Sequence, residues 1–554
     1  MRLLRQTRRR MLIGSTDGAD QHLFPRTNFT HARPALSRII HFRKPNTTPT
    51  AMTITLATVN ARYTHASLGL RYLYANLGAL RDAAEIAEFT LESRPIDIVE
   101  SLLQRQPKIV GFGVYIWNVT VTTEVVSLLK RVRRDVVVVV GGPEVSYEWE
   151  RQPIVAEADY LVTGAADIVF AQLCAALLAG HVPPQKVIHA QPVDVNALEL
   201  PYRYYTDDDV SHRVIYVEAS RGCPFKCEFC LSALDKTAWP FDLDRFLVEM
   251  DALYARGVRQ FKFVDRTFNL SVRTSIRILE FFLVRLDERL FVHFEVVPDH
   301  LPDALKEMIA RFPPGQLQFE VGIQTFNPVV QARISRRQDN DKAKTNLRWL
   351  RHHSGVHIHA DLIAGLPGED LASFAAGFNA LVDLAPHEIQ VGILKRLRGA
   401  PIRRHTEEFG LVFNPAPPYN VVATADLSFV DLQRLTRFAR YWDLIANSGR
   451  FPHTLALLLR GDPFARFMAF SDWLYQASRQ THKIALDRLF AYVYEWLKQR
   501  DDTPLQELEE VIGRDFSRAK LKHGWRPGAT TIASVADAAS LPARQARHAQ
   551  STSD

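Results

Sequence analysis

Cysteine is the scarcest residue of this sequence, with four in 554 positions. So few cysteines exclude a disulfide-stapled scaffold and read as a reduced, cytoplasmic protein. No apolar run approaches the ~20 residues that cross a bilayer, and the N-terminal stretch has no run long enough for a secretion signal. An acidic excess is also missing. The formal net charge of +7 suggests a basic surface for nucleic acid or membrane, but residues 1–50 hold ten Arg and Lys against Asp17 and Asp20. The remainder is about one charge below neutral, which removes the argument for a basic binding face on the folded body.

An ordinary globular composition remains, 47% apolar and 23% charged, with length for about three domains. The Arg-rich, acid-poor residues 1–51 have no periodic apolar pattern. They read as disordered or as a mis-assigned start, with Met52 heading the first strand; a targeting peptide is the other option. Residues 526–554, rich in Ala, Ser, Gln and Arg, read as a disordered tail.

Three of the four cysteines fall in Arg221-Gly222-Cys223-Pro224-Phe225-Lys226-Cys227-Glu228-Phe229-Cys230. Clustered thiolates on one loop are what an iron–sulfur cluster needs, and three ligands leave one iron of a 4Fe–4S cluster open. A partial zinc site completed by histidine is the alternative, although no fourth ligand lies at the usual short spacing. The remaining cysteine, Cys174, sits on the apolar side of a helical stretch and reads as a buried structural thiol. The C-x-x-x-C-x-x-C spacing, with aromatic Phe229 before the last cysteine, resembles the signature of the radical S-adenosylmethionine (SAM) superfamily. That resemblance implies that Cys223, Cys227 and Cys230 ligate the cluster and that the open iron chelates the amino and carboxylate groups of SAM.

Residues 52–190 alternate strand and helix patterns. Strands are expected at 53–59, 85–92, 109–117, 136–142 and 160–164, and helices at 67–81, 96–105, 122–133 and 167–180. The run Val136–Val140 is apolar on both faces, as a central parallel strand covered on each side requires. This predicts a flavodoxin/Rossmann-like doubly wound sheet, which binds ligands at the carboxyl ends of its strands. Those ends carry Asn60, Tyr63, Thr64 and Ser67; Gly113 and Tyr115; Gly141, Gly142, Pro143 and Glu144; and Gly164. With the cysteine motif following, the pair of domains resembles the cobalamin (B12)-binding radical SAM enzymes, which share the Gly-Gly-Pro-Glu turn. The resemblance implies cobalamin contacts from these residues. Two departures stand out. The second turn of that pattern appears only as Gly164-Ala165-Ala166-Asp167, and Asp-x-His-x-x-Gly is missing, so His65 reads as a loop histidine making an ordinary hydrogen bond rather than as a cobalt ligand. The alternative is a degenerate Rossmann-like domain that holds nothing.

Residues 205–400 show six strand–helix units, with strands at 214–218, 260–265, 291–297, 316–324, 356–363 and 388–397. Six such units make a partial (β/α)6 TIM-like barrel with its active site at the carboxyl-terminal face. Asp265, Arg266, Glu295, Glu320, Gln324 and Gly365 stand at those strand ends. Glu320-Val321-Gly322-Ile323-Gln324 and Gly365-Leu366-Pro367-Gly368-Glu369 resemble the superfamily's SAM-contacting strand and turn, which implies roles with the amino group, ribose and adenine of SAM. The alternative is that these acids pair with Arg266, Arg333 or Arg336, because a charge pointing into a barrel is costly without a partner. His357, His359 and Asp361 alternate on one strand face and read as polar barrel filling. Residues 401–525 form a mostly helical region whose aromatics, such as Trp442 and Phe467, read as core.

The resemblance implies an α/β enzyme that uses a 4Fe–4S cluster to cleave SAM to a 5′-deoxyadenosyl radical. Cobalamin would serve methyl transfer first, with cyclisation or rearrangement next. The substrate is small or unknown, and an electron donor such as flavodoxin or ferredoxin is required. A methylthiotransferase acting on RNA or protein would want further N-terminal cysteines, and a non-catalytic sensor would not need the SAM-shaped strand ends.

Overall fold

The computed structural model describes residues 53–519 except 236 and 501, together with 521. The expectations for 1–51 and 526–554 lie outside the described residues.

Six parallel strands form the first sheet: β1 (Ile54–Asn60), β2 (Ala84–Thr90), β3 (Ile109–Gly113), β4 (Val137–Gly141), β5 (Tyr160–Thr163) and β6 (Val187–His189). Their order is β2-β1-β3-β4-β5-β6. The chain therefore reverses direction across the sheet between β1 and β3, the point where doubly wound sheets open a crevice at their carboxyl ends. The valine run explains why β4 is central. Val138 and Val140 join the core beneath helices Pro95–Gln104 and Val119–Val132, whereas Val139 faces the opposite core with Phe170 and Cys174 of helix Val169–Leu178. Strand β6 was not foreseen, being only three residues long and without an alternating pattern. The helix expected over 67–81 stops at Ala75 and gives way to a 3₁₀ turn, Gly78–Ala83, entered by Gly78 at φ +57°.

The second sheet contains β7 (Ile215–Val217), β10 (Gln260–Phe263), β11 (Phe291–Val296), β12 (Leu317–Gln324), β13 (His357–Ala364) and β14 (Glu388–Ile393), all parallel in the order β14-β13-β12-β11-β10-β7. A short antiparallel hairpin, β8 (Ser220–Gly222) with β9 (Ala238–Pro240), follows β7. Alternation sorts the two faces of this sheet. Phe263 and Phe294 pack with centroids 4.5 Å apart, and Phe263 also meets Phe282 of helix Val272–Leu283. The opposite face carries the polar residues in register: Glu295 beside Glu320, Glu320 beside His359, and His359 beside Glu388.

Helix Phe429–Trp442 packs against β14 and the two-stranded ladder β15 (Val412–Phe413) with β16 (Val421–Ala423), and helices Pro463–Ser478, Leu486–Lys498 and Leu505–Arg518 pack behind it in succession. Trp442 meets Phe378 of the barrel helix Leu371–Asp383 edge-on at 4.8 Å, so these aromatics are packing residues.

Candidate functional site

The cysteine loop begins where the β8–β9 hairpin pairs Gly222 with Ala238. Gly222 has φ +96°, and a Cβ there would lie 2.5 Å from the Thr237 carbonyl, so only glycine admits the turn that delivers Cys223. The loop then closes on itself, Cys230 N–H donating to the Cys227 carbonyl at 3.0 Å. Glu228, between the second and third cysteines, is buried. It accepts hydrogen bonds from Ser335 Oγ (2.5 Å) and from Arg404, and pairs with His405 Nε2 (2.8 Å). Its backbone donates to Ile334 and accepts from Ile402. The loop is thereby clamped between two distant chain segments.

All three thiols line one cavity of about 260 Å³. Burial pushes the Cys223 thiol up, and the neighbouring cysteines add to the shift. Burial also raises Cys227, opposed by Arg336, whose Nη1 lies 3.6 Å from Cys227 Sγ. Among the described residues no group of three His, Cys, Asp or Glu side chains converges on a single-ion site. Three soft sulfur donors from one loop, facing a shared cavity and a guanidinium, suit an iron–sulfur cluster, whose thiolates require neutralising charge.

The same cavity is lined by Phe229, Arg266, Glu295, Glu320, Gln324 and Asp361. Arg266 Nη1 holds Glu295 through both oxygens, at 2.9 and 3.2 Å. Burial nevertheless raises Glu295. Burial also works to raise Glu320, but His293, 3.2 Å away, and the charge of Lys262 keep it below the usual carboxylate range. At the end of β12 a bulge between Gly322 and Gln324 puts Gln324 at φ +67°, a sparsely populated region for a side-chain-bearing residue. Two carboxylates and an amide together form an acceptor set that suits a cationic ligand carrying an ammonium and hydroxyls. Two other expected residues lie outside this lining. Asp265 accepts from Ala219 N (3.0 Å) and Ser220 Oγ (2.6 Å), and burial pushes it up to about 7; it shapes the strand leading to the cysteines. Gly365, at φ +87°, makes room for Val421, whose Cγ1 a Cβ would approach to 2.5 Å.

A second cavity of about 790 Å³ opens at the β1/β3 switch point, between the first sheet and the barrel mouth. Asn60 and Ser67 line it from the loop after β1, Tyr115 and Trp117 from the loop after β3, and Arg221, Arg266 and Lys395 from the barrel side. Tyr115 and Trp117 stack at 4.4 Å with an interplanar angle of 6°. A wide cavity with an aromatic wall and amide and hydroxyl groups suits a large flat ligand bearing polar side chains. His65 Nδ1 meets the Tyr216 hydroxyl at 2.7 Å. Arg266 borders both cavities, so they meet at its side chain.

The other expected contacts of the first sheet lie elsewhere. Gly113 packs under Tyr115 without lining the cavity. Tyr63 is half exposed, donates to Asp208 and stacks on Arg213, while the Thr64 carbonyl accepts from Val214. Gly142 has φ +113°, and a Cβ would strike the Val114 carbonyl at 2.5 Å; Gly141 lies close to the Val162 carbonyl. The turn continues through Pro143 to buried Glu144, which accepts from Tyr419 Oη (2.6 Å) and Arg398 Nε (2.9 Å). This turn latches the first sheet to the segment after β14. Gly164 turns at φ +77° beside Ala190. Cys174 is fully buried, which raises its thiol to about 12.

Sequence reasoning missed Trp117, Lys395, Glu228 and the contact of Arg336 with Cys227. Glu228 lay inside the motif itself; the others carry no signal in their own neighbourhoods.

Comparison with known proteins accords with this geometry. Residues 54–174 match the B12 binding domain family, and residues 217–378 match the Radical SAM superfamily. The chain joins a B12 binding domain to a radical SAM domain. Residues 407–547 match a family described as a protein of unknown function (DUF4080). The chain is 24% identical over 450 residues to the cobalamin-dependent radical SAM methyltransferase TokK of Streptomyces tokunonensis, covering 73% of this chain and 63% of that protein. It is 24% identical over 501 residues to the 2-(S-pantetheinyl)-carbapenam-3-carboxylate methyltransferase of Streptantibioticus cattleyicolor, covering 79% and 68%. An uncharacterised methyltransferase of Pyrococcus horikoshii is 27% identical over 238 residues, 38% of this chain and 51% of that protein. The chain thus spans about half to two thirds of these curated relatives. Among solved structures, the radical SAM methyltransferase TsrM of Kitasatospora setae, with cobalamin and a [4Fe-4S] cluster bound, aligns at a TM-score of 0.55 with 17% identity, covering 85% of this chain and all of that one. That likeness is one of fold. No helix among the described residues is long and apolar enough to cross a membrane.

Proposed function

We propose that this chain is a cytoplasmic, cobalamin-dependent radical SAM enzyme that transfers a methyl group to a small-molecule substrate, fed by an electron donor such as flavodoxin or ferredoxin. The observation that carries this reading is the meeting of two cavities at Arg266, one lined by three thiols and the other opening at the switch point of the first sheet. The names of TokK, the carbapenam methyltransferase and TsrM support methyl transfer as the reaction.

In this reading Cys223, Cys227 and Cys230 hold the cluster. Glu295, Glu320, Gln324 and Asp361 hold the ammonium and ribose of SAM, and the loops bearing Asn60, Ser67, Tyr115 and Trp117 hold the corrin. When bound, the cluster and SAM supply radical chemistry and cobalamin supplies a transferable methyl group. The chain's own work is to bind, orient and exclude water. Arg266 keeps Glu295 oriented in the smaller cavity, Arg336 offsets thiolate charge at Cys227, and the clamp on Glu228 holds the loop in place.

Anaerobic purification from corrinoid-fed cells, then reconstitution with iron and sulfide, tests the reading. About four irons per chain, retained corrinoid absorbance and a cluster spectrum altered by added SAM are expected. Wild-type protein that takes up neither iron nor corrinoid overturns it.

A further inference from the structure

Lys395 stands two residues beyond β14 and lines the large cavity. No hydrogen bond or ion pair holds its ammonium among the described residues, although burial depresses its pKa and no neighbouring charge offsets this. The other cations of that wall are occupied. Arg221 holds Glu218 at 2.6 Å and Asp167 at 3.0 Å, Arg266 holds Glu295, and Arg62 is engaged as well. Gln390, on β14, also lines the cavity. Its Oε1 accepts from His359 at 3.1 Å. A half-buried ammonium without a counter-ion is costly unless a ligand brings one.

We propose that Lys395 anchors a carboxylate of the substrate in the large cavity. This rests on the reading above and names the substrate's chemical class. One unoffset positive charge in a half-buried wall matches a monoanion. A phosphate dianion calls for more cations or an arginine fork, and each arginine here is already paired.

Competitive amine labelling of the full chain, with modification at Lys395 followed by mass spectrometry, tests this without cofactors. Benzoate and acetate are the carboxylate probes, benzamide the neutral isostere and inorganic phosphate the alternative anion. Labelling of Lys395 is expected to fall about tenfold at a benzoate concentration ten times its Kd, and to be unchanged by benzamide or phosphate. No protection by either carboxylate, or equal protection by benzamide, overturns the proposal. Protection by phosphate alone reassigns the anchor to a phosphate-bearing ligand. Lys395→Met, purified and reconstituted, is expected to retain wild-type iron and corrinoid contents; loss of corrinoid would show that the ammonium serves the cofactor, and would also overturn the proposal. Wild-type protein lacking iron and corrinoid would sink the proposed function while leaving the labelling result standing.

Discussion

The two cavities that share Arg266 are built in opposite ways. The smaller draws its three sulfurs from eight consecutive residues, and its charges come from barrel strands and the loops beyond them: Arg266 with Glu295, His293 with Glu320, Arg336 with Cys227. The larger takes its walls from loops more than 300 residues apart, from Asn60 to Lys395, and the Lys395 ammonium has no hydrogen bond or ion pair among the described residues. Contiguous ligands and paired charges make a rigid chelating site. A surface assembled from distant segments makes a receptor whose missing counter-charge describes what it receives.

The largest expected effect separates the two directly. Cys227→Ala should abolish cluster uptake, with iron falling to roughly a tenth of wild type or less, while corrinoid retention persists; iron analysis and corrinoid absorbance read both. Co-loss of corrinoid would mean that the cavities are not independent. Next is the clamp. Glu228→Gln leaves His405 and Arg404 without their buried carboxylate, and should cost about 3 kcal/mol in denaturant unfolding, with slower cluster uptake.

The third prediction concerns pH. The folded pKa of Asp265, about 7, lies above that of an ordinary carboxylate because the group is buried. Its contribution to stability is therefore complete below about pH 4 and is lost as pH rises through 7, by up to about 1.4 kcal/mol per unit. Asp265→Asn should flatten the denaturation midpoint across pH 4–8; an unchanged slope would place the titration elsewhere. The smallest effect belongs to the larger cavity. Tyr115→Ala removes half of an aromatic stack and should weaken corrinoid binding about tenfold, or ~1.4 kcal/mol, with iron content unchanged.

Much of this was legible in the sequence because it is local. The six strand–helix units announced a barrel, the alternation of His357, His359 and Asp361 announced its polar filling, and the valine run announced a doubly covered strand. The strand-end acids Glu295 and Glu320 were legible too. Other residues misled for a physical reason: glycines at strand ends read as ligand-facing, yet Gly142 and Gly365 make room for backbone and side chains of the protein itself. Glu144 was read with that turn, and its partners Arg398 and Tyr419 lie more than 250 residues away.

By itself the sequence determined the three-thiol loop, the parallel sheets and the polar barrel interior. Those follow from residue type at short spacing, where chain geometry leaves little choice. The tertiary structure alone decided that Glu228 is clamped by Ser335 and His405, that Arg336 reaches Cys227, and that Lys395 lines the large cavity with no ion pair among the described residues. Each depends on which distant segments meet when apolar surfaces are buried, and a charge acquires or lacks its partner only then.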